Sequence, residues 1–320
     1  MEQSIEEIKD RIAGCLWGQA IGDALGLGTE FMSRMEVMNC YPEGIERYEQ
    51  IICDRHRSNW KTGEWTDDTE MMLCIARAIV KDKAINPQTV AHNFKEWFKG
   101  IPRGIGRLTY TVLCLSDYEE YPEKAAETVW DMYGRKNAAN GGVMRTSVVG
   151  LWNEDVAENA ERICRLTHAD PRCIGSCVII SELINSLVWH GKELSCGELL
   201  QIGDKYDGRI KPYLDMAHNG LLEDFELDDE TTMGYTLKTM GCAIWCLYNV
   251  DNFKDGLLKI VNAGGDADTN AAVTCAVLGA KYGKNGIPEH YIQGIRRKDE
   301  YEEMIDRLTD VLMERSKREQ

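Results

Sequence analysis

Trp65-Thr66-Asp67-Asp68-Thr69 and Gly264-Gly265-Asp266-Ala267-Asp268-Thr269-Asn270 repeat one chemistry at two distant points of the chain. Each segment follows a glycine-containing loop, runs into an apolar stretch of helical period, and offers two carboxylates with neighbouring threonine hydroxyls at a helix start. One role for such residues is capping: Asp and Thr side chains satisfy the free N–H groups of a first turn and interact favourably with its dipole. A cap needs only one such side chain, however, and further carboxylates on adjacent residues repel unless a cation sits among them. An oxygen-only set rich in carboxylates suits Mg2+, Mn2+ or Ca2+ rather than zinc. The pattern therefore reads either as two independent caps or as the two halves of one metal site.

Other motif readings of these residues fail or weaken on inspection. Asp266-Ala267-Asp268-Thr269-Asn270 begins like an EF-hand loop, but Ala271 stands where that loop needs Gly and Val277 where it needs Glu. An Asp-x-Asp start with Asp266 as nucleophile also suits a haloacid-dehalogenase-like phosphatase, a distant alternative that would require alternating strands and helices around it. Gly279 to Lys284 lacks P-loop spacing, and Asn285 stands where Ser or Thr is required. Gly104-Ile105-Gly106 lacks the third glycine of a dinucleotide fingerprint.

The elements that must position the two clusters read as helices. Ile5, Ile8, Ile12, Cys15, Leu16 and Ala20 follow a three-to-four spacing, and Met72, Ile75, Ala76, Ile79 and Val80 repeat it. Further helices are expected at Pro87 to Lys99, Ile105 to Leu115, Ala125 to Met132, Val156 to Thr167 and Cys173 to His190. A last set covers Gly234 to Tyr248, Phe253 to Val261, Ala271 to Tyr282 and Glu300 to Glu314. Few segments alternate as half-buried strands do, and the acidic run from Gly220 to Glu230 reads as a surface loop. Breaks are short and no composition shift marks a boundary, so residues 1–320 are expected to form a single all-α domain.

Composition narrows the function classes. With 37 Lys+Arg against 53 Asp+Glu, a formal charge of −16 disfavours binding to nucleic-acid backbones. It also requires that any site for an anionic ligand carry its own positive charge, such as a metal. The 12 Cys are scattered without a C-x-x-C pair, which fits a reduced, cytoplasmic protein. Cys173 with Cys177, and Cys242 with Cys246, have the spacing of zinc half-sites but read better as small buried thiols between helices. Met1 to Asp10 is acidic and unlike a signal peptide, and no uninterrupted apolar run approaches the 18 or so residues that span a bilayer. Gln19 and Asp23 interrupt the first apolar stretch. A monomer is the default expectation.

The sequence resembles the ADP-ribosylglycohydrolase family, which includes the ADP-ribosylarginine hydrolases and the dinitrogenase-reductase-activating glycohydrolase. The likeness runs in order through Gly18-Gln19-Ala20-Ile21-Gly22-Asp23-Ala24-Leu25-Gly26 with Glu30, the first acidic cluster, Asn140-Gly141-Gly142-Val143-Met144-Arg145, Thr167-His168, the second acidic cluster, and Gly286-Ile287-Pro288. It implies a compact all-α fold, an orthogonal helical bundle, with two Mg2+ or Mn2+ ions at the base of a cleft. By that resemblance, Thr66, Asp67, Asp68, Asp266, Asp268 and Thr269 are the metal ligands. Glu30 and Asp67 are the catalytic carboxylates. Asn140, Gly141, Gly142 and His168 contact the ADP-ribosyl group.

The implied reaction cleaves the glycosidic bond at C1 of the distal ribose and releases ADP-ribose from a protein side chain such as arginine, or from a small conjugate. Backbone N–H groups of Asn140-Gly141-Gly142, at the start of a following helix, would face the pyrophosphate. Arg145 reads as structural, tying that loop to a carboxylate, and His168 as a buried, hydrogen-bonded histidine. Glu30 by itself reads as a surface glutamate, and only the resemblance gives it a role as general base or sugar positioner. Many arginine-directed members carry Asp-Ile-Gly where this chain has Gly104-Ile105-Gly106, which leaves the acceptor amino acid open. An aromatic residue often precedes the Asn-Gly pair where this chain has Ala138-Ala139, which leaves packing against the adenine or distal ribose open. A non-catalytic ADP-ribose-binding module is the competing function of the same cleft.

Overall fold

Gly14, Gly18, Gly22 and Gly26 recur at every fourth position, which places all four on one face of a helix. In the computed structural model, which describes residues 3–316, that face meets another helix backbone to backbone. A Cβ added at Gly18 would fall 2.0 Å from the Cys275 carbonyl oxygen, one at Gly22 2.2 Å from that of Ala271, and one at Gly26 2.4 Å from that of Ala267. The two helices, α1 (Ile5–Gly26) and the later Ala267–Tyr282, run antiparallel at the centre of the molecule, and both are buried on nearly every side. Close approach brings the C-terminal end of α1, followed by Glu30, beside the helix start that carries Asp266 and Asp268. Gly18→Ala should destabilise the protein by about 2 kcal/mol or more, because the added methyl overlaps a carbonyl that cannot move alone. Gly208→Ala, where a Cβ meets nothing within 4 Å, should stay within about 0.5 kcal/mol of wild type in the same urea titration.

The remaining helices surround this pair. They are α2 (Arg34–Cys40), α3 (Asp67–Asp82), α4 (Pro87–Lys99), α5 (Arg107–Leu113), α6 (Pro122–Met132), α7 (Ser147–Gly150), α8 (Val156–Arg165) and α9 (Pro171–His190). After them come α10 (Cys196–Gly203), α11 (Ile210–Asn219), α12 (Thr236–Asn249), α13 (Phe253–Val261), α14 (Ala267–Tyr282), α15 (Glu289–Gly294) and α16 (Lys298–Ser316). Among the described residues no strand forms, and the fold is all-α. Helix α9 is apolar and long enough to cross a membrane by length and composition, but 89% of its most apolar window is buried inside the bundle. It is the core helix that α7, α8, α12 and α14 pack against.

Most elements follow the sequence pattern, and the differences have local causes. Helices α4 and α13 begin and end where expected. Helix α14 begins four residues earlier than its apolar pattern, since its first turn is built from the acidic cluster itself. Helices α2, α7, α10, α11 and α15 depart from the expectation: each has ten residues or fewer, too few turns for an apolar period to stand out in the sequence. The acidic run from Gly220 to Glu230 is not wholly a surface loop: it contains a 3-10 turn, Leu222–Phe225, and Leu222, Phe225 and Leu227 bury their side chains and anchor it. All 12 cysteines are free, and the Cys173, Cys177, Cys242 and Cys246 thiols lie in the core rather than in any candidate metal group.

Candidate metal centre and cleft

Several other helix starts in the chain are capped by their own side chains. Ser4, Ser33 and Ser195 each accept from the backbone N–H three residues on, with a glutamate returning the bond. Thr66 and Asp266, which occupy the cap positions of α3 and α14, make no such side-chain bond. The two acidic segments are therefore not independent caps.

For α3 the capping is done from another helix. Asp23, buried on α1, accepts from the Thr66 N–H at 2.8 Å, the Thr69 N–H at 2.9 Å and the Thr69 hydroxyl at 2.6 Å. Burial pushes the Asp23 carboxyl up to about 7, against the lowering effect of these hydrogen bonds. With its helix start satisfied from behind, α3 turns Thr66, Asp67 and Asp68 toward α14. The Thr66 hydroxyl lies 3.2 Å from Asp68 Oδ2 and 3.4 Å from Asp268 Oδ2. Gln19, one turn before Asp23, donates to the Met144 carbonyl at 2.9 Å and so ties the same face of α1 to the Asn140–Arg145 segment. Both interruptions of the first apolar stretch are thus its connections to the site.

The loop after α1 carries Glu30 and is fixed on two sides. The Phe31 N–H donates to the Gly265 carbonyl at 2.6 Å and the Gly265 N–H to that of Met32 at 2.8 Å, an isolated bridge that sets Glu30 next to Asp266. Phe31 takes a left-handed φ of 61°, a conformation rarely adopted by a bulky residue, and its exposed ring lines the cavity. From the other side Arg57 donates to the Leu27, Gly28 and Glu30 carbonyls at 2.9, 2.9 and 2.6 Å. His56 Nε2 lies 2.7 Å from Glu30 Oε2, and this bond raises the His56 pKa.

A second isolated bridge, Ala139 to Tyr235, positions the loop across the cleft. The Asn140 N–H donates to the Gly234 carbonyl, so it is not free for a ligand. Its side-chain amide instead donates to Asp266 Oδ2 at 2.7 Å and to the Thr239 hydroxyl at 3.1 Å. No extended helix follows: Val143–Arg145 is one 3-10 turn, which corrects the expectation of a helix N-terminus aimed at a pyrophosphate. Gly141 lines the cavity, whereas Gly142 turns inward, where a Cβ would meet the Cys164 and Cys177 sulfurs at 3.1 and 3.2 Å. Arg145 is fully buried and stacks over the Phe94 ring at 4.6 Å. It donates to the Thr167 hydroxyl rather than to the expected carboxylate. His168 is buried and hydrogen-bonded through Nδ1, as expected, while its Nε2 has no partner.

These elements enclose a cavity of about 260 Å3 lined by Glu30, Asp67, Asp68, Asp266, Asp268 and Thr269 on one side and by Asn140, Gly141 and His168 on another. Ligand atoms of Glu30, Asp266 and Asp268 all lie within 4.8 Å of one another. Burial, then the charges of Asp23 and neighbouring acids, holds the Asp67 and Asp68 carboxyls well above their usual range. Asp268 is raised by burial and then by Glu30, and Asp266 is pushed up to about 6 by the same two causes. Asp68 Oδ1 is buried without a hydrogen-bond partner. Crowded carboxylates, an orphaned oxygen and threonine hydroxyls form a hard, oxygen-only donor set. Such a set fits a Mg2+- or Mn2+-like ion and is strongly disfavoured without one.

The family model described as ADP-ribosylglycohydrolase matches residues 4–318. The chain belongs to the ADP-ribosylglycohydrolase family. It is 27% identical over 315 residues to the ADP-ribosyl-[dinitrogen reductase] glycohydrolase of Rhodospirillum rubrum, covering 96% of each chain. It is 24% identical to the ADP-ribosylarginine hydrolase Tri1 of Serratia proteamaculans, covering 94% of this chain and 80% of that one. Human ADP-ribosylhydrolase ARH3 is 23% identical, with coverage of 94% and 91%. A solved structure described as an ADP-ribosylglycohydrolase-related protein complex superposes with a TM-score of 0.75 at 24% identity, covering 96% of this chain and 99% of that chain, and so shares the fold.

Within this ADP-ribosylglycohydrolase, the sequence pattern singled out the carboxylates but not the groups that hold them: Asp23, His56 and Arg57. The signal for Asp23 is an acid one turn after Gln19 in the buried half of α1, beside the glycine face rather than on it. Asp23→Ala would leave the Thr66 and Thr69 donors buried without an acceptor. It should cost about 2–3 kcal/mol in urea unfolding even with divalent ion present.

Proposed function

We propose that the protein hydrolyses the bond between C1 of the distal ribose of an ADP-ribosyl group and its acceptor, releasing ADP-ribose. In this reading two Mg2+ ions, replaceable by Mn2+, are held by Thr66, Asp67, Asp68, Asp266, Asp268 and Thr269. The carrying observation is the buried cluster of Asp67, Asp68, Asp266 and Asp268 at the floor of the cavity, with raised pKa values and an oxygen lacking any partner. Divalent ions at such a set supply positive charge beside an anionic ligand and lower the pKa of water.

The chain's own groups supply the rest. Glu30 stands at the edge of the cluster with its loop pinned by Arg57 and its carboxylate held by His56. It steers the attacking water and takes its proton as general base. Asp67 and the neighbouring carboxylates favour the oxocarbenium-like sugar that forms as the glycosidic bond breaks. Asn140 fixes Asp266, while Gly141 and His168 face the nucleotide half of the ligand, with Gly142 packing that loop against the core. The substrate is an ADP-ribosylated protein or a small ADP-ribosyl conjugate, with arginine as the acceptor put first by the names of the relatives. The protein acts as a monomer in the cytoplasm, in keeping with its free thiols.

Gly104 makes acceptor choice a matter for experiment. Its loop lies so near the floor of the cavity that a Cβ would sit 2.7 Å from Asp67 Oδ1. A panel of ADP-ribosylated arginine peptide, serine peptide and free conjugate should give ADP-ribose from at least one member. Calorimetric binding of ADP-ribose with no release from any member would replace the enzyme with a binding module; the phosphatase alternative is already set aside, because the alternating strands it requires do not form among the described residues. Glu30→Gln should lower kcat by about 10²–10⁴-fold while Mn2+ binding remains measurable; turnover at the wild-type rate would remove Glu30 from its role.

A further inference from the structure

We infer that a second cavity, behind the Glu30 loop, binds a small organic anion: an apolar body that ends in a carboxylate or a phosphate. The cavity measures about 310 Å3 and shares no lining residue with the carboxylate-lined cleft. Ala24, Leu27, Ile51 and Ile52 give it apolar walls, and the partly exposed Trp60 adds a flat face. Lys61, Arg296 and, at the back, Arg57 supply positive charge. Small-molecule pockets start at about 300 Å3 and have this composition, apolar surface with a few converging polar groups.

The rim is held by a close backbone contact. Gly63 takes a left-handed φ of 75°, and a Cβ there would fall 2.0 Å from the Gly294 carbonyl oxygen, so glycine is what lets the two segments meet. The Arg296 N–H then donates to the Gly63 carbonyl at 3.0 Å. This joint brings Lys61 and Arg296, far apart in sequence, to one cavity. Their charge exceeds that of the local carboxylates. Arg57 is matched by Asp54. Glu64, the one acid that lines the cavity, is shared by Arg103 at 3.1 Å and Arg296 at 3.5 Å. Lys61 gives Glu64 only its backbone N–H, at 2.8 Å, and its ammonium makes no ion pair among the described residues. In a chain of formal charge −16 this is a local positive field, which the low-dielectric walls concentrate. A guanidinium fork beside an ammonium suits a carboxylate or phosphate group, and the walls suit an apolar body behind it.

Two side chains connect this cavity to the cleft. Arg57 is the group that donates to the Glu30 carbonyl. Trp60 stands on the other side, its ring 3.4 Å from a Cβ built on Gly104, which lines the cleft. The anion therefore sits against the groups that hold Glu30 and Gly104, while its binding is independent of the proposed function.

Cys53 is exposed on the cavity wall and reports occupancy without a mutation. Iodoacetamide alkylation of the intact protein, followed by peptide mass spectrometry, should be slowed about tenfold at Cys53 by phenylacetate or phenyl phosphate at about ten times its dissociation constant. Alkylation of the exposed Cys40 and Cys114 should not change. The result should be the same with Mg2+ and with chelator, since no metal takes part. Phenylacetamide, which lacks the charge, and inorganic phosphate, which lacks the apolar body, should protect at least about tenfold less well. Lys61→Ala and Arg296→Ala should each weaken protection about tenfold, and Lys61→Arg should retain it. Cys53 left unprotected by both organic anions overturns the inference, and this wild-type result stands even if the variants fail to fold. Equal protection by phenylacetamide would reduce the cavity to an apolar crevice, and equal protection by inorganic phosphate to a basic patch; either overturns it. Undiminished protection in both alanine variants does the same.

Discussion

Asp67→Ala or Asp268→Ala should reduce Mg2+-dependent release of ADP-ribose by more than about 10²-fold while leaving the helical fold intact. Even outer partners of metal ligands commonly cost 10–100-fold, and these two carboxylates stand on opposite sides of the cluster, one on α3 and one on α14. The stability of the variants carries the finer discrimination. Both carboxyls are held far above their usual range by burial and by neighbouring acids. Removing either from the metal-free protein at pH 8 therefore relieves repulsion, and urea unfolding should show no loss of stability relative to wild type. A residue whose work was packing or capping would show the opposite, as Asp23→Ala is expected to do. Circular dichroism and urea titration of metal-free protein, set beside the release assay, separate the two cases.

The second large effect is a reversal of pH dependence by divalent ion. Asp23 sits at about 7, Asp266 at about 6, and Asp67, Asp68 and Asp268 are raised further. Their unfolded values lie near 4. Between these limits the folded chain binds more protons than the unfolded one, so metal-free stability falls as pH rises. The contribution is fully present below about pH 4 and is lost as pH rises through the folded values, through about 6 and 7 and beyond. Mg2+ competes with those protons for the same oxygens, so the stabilisation it gives should grow over the same window. At a thousandfold excess over its dissociation constant, one bound ion contributes about 4 kcal/mol. Thermal melts from pH 5 to pH 8 should descend in chelator and flatten or rise with Mg2+. Parallel curves under the two conditions would mean that the cluster does not bind the ion.

The legible part of the site was the part with a local signature. Asp67, Asp68, Asp266 and Asp268 announce themselves by clustering beside threonines at helix starts. The pattern leaves two caps or one site open, and it is a long-range partner, Asp23, that takes over the capping of α3 from α1 and frees the acidic side chains there from that role. His56 and Arg57 lie in a stretch of mixed charge with no apolar period, and their importance comes from contacts with Glu30 and its loop. Arg145 shows the limit most clearly. A buried arginine is expected to find a carboxylate, and here it finds a hydroxyl and an aromatic face. The helix pattern follows the same rule: the apolar period of the strongly amphipathic α4 and α13 matches their ends, while the first turn of α14 is polar and its pattern begins only at Ala271.

Release of ADP-ribose from an ADP-ribosylated arginine peptide, followed in one preparation before chelation, after chelation and after Mg2+ is restored, tests the central claim most directly. Turnover should stop with the chelator and return with the ion. Release that continues unchanged in chelator would contradict a reaction that depends on the buried carboxylate cluster holding divalent metal.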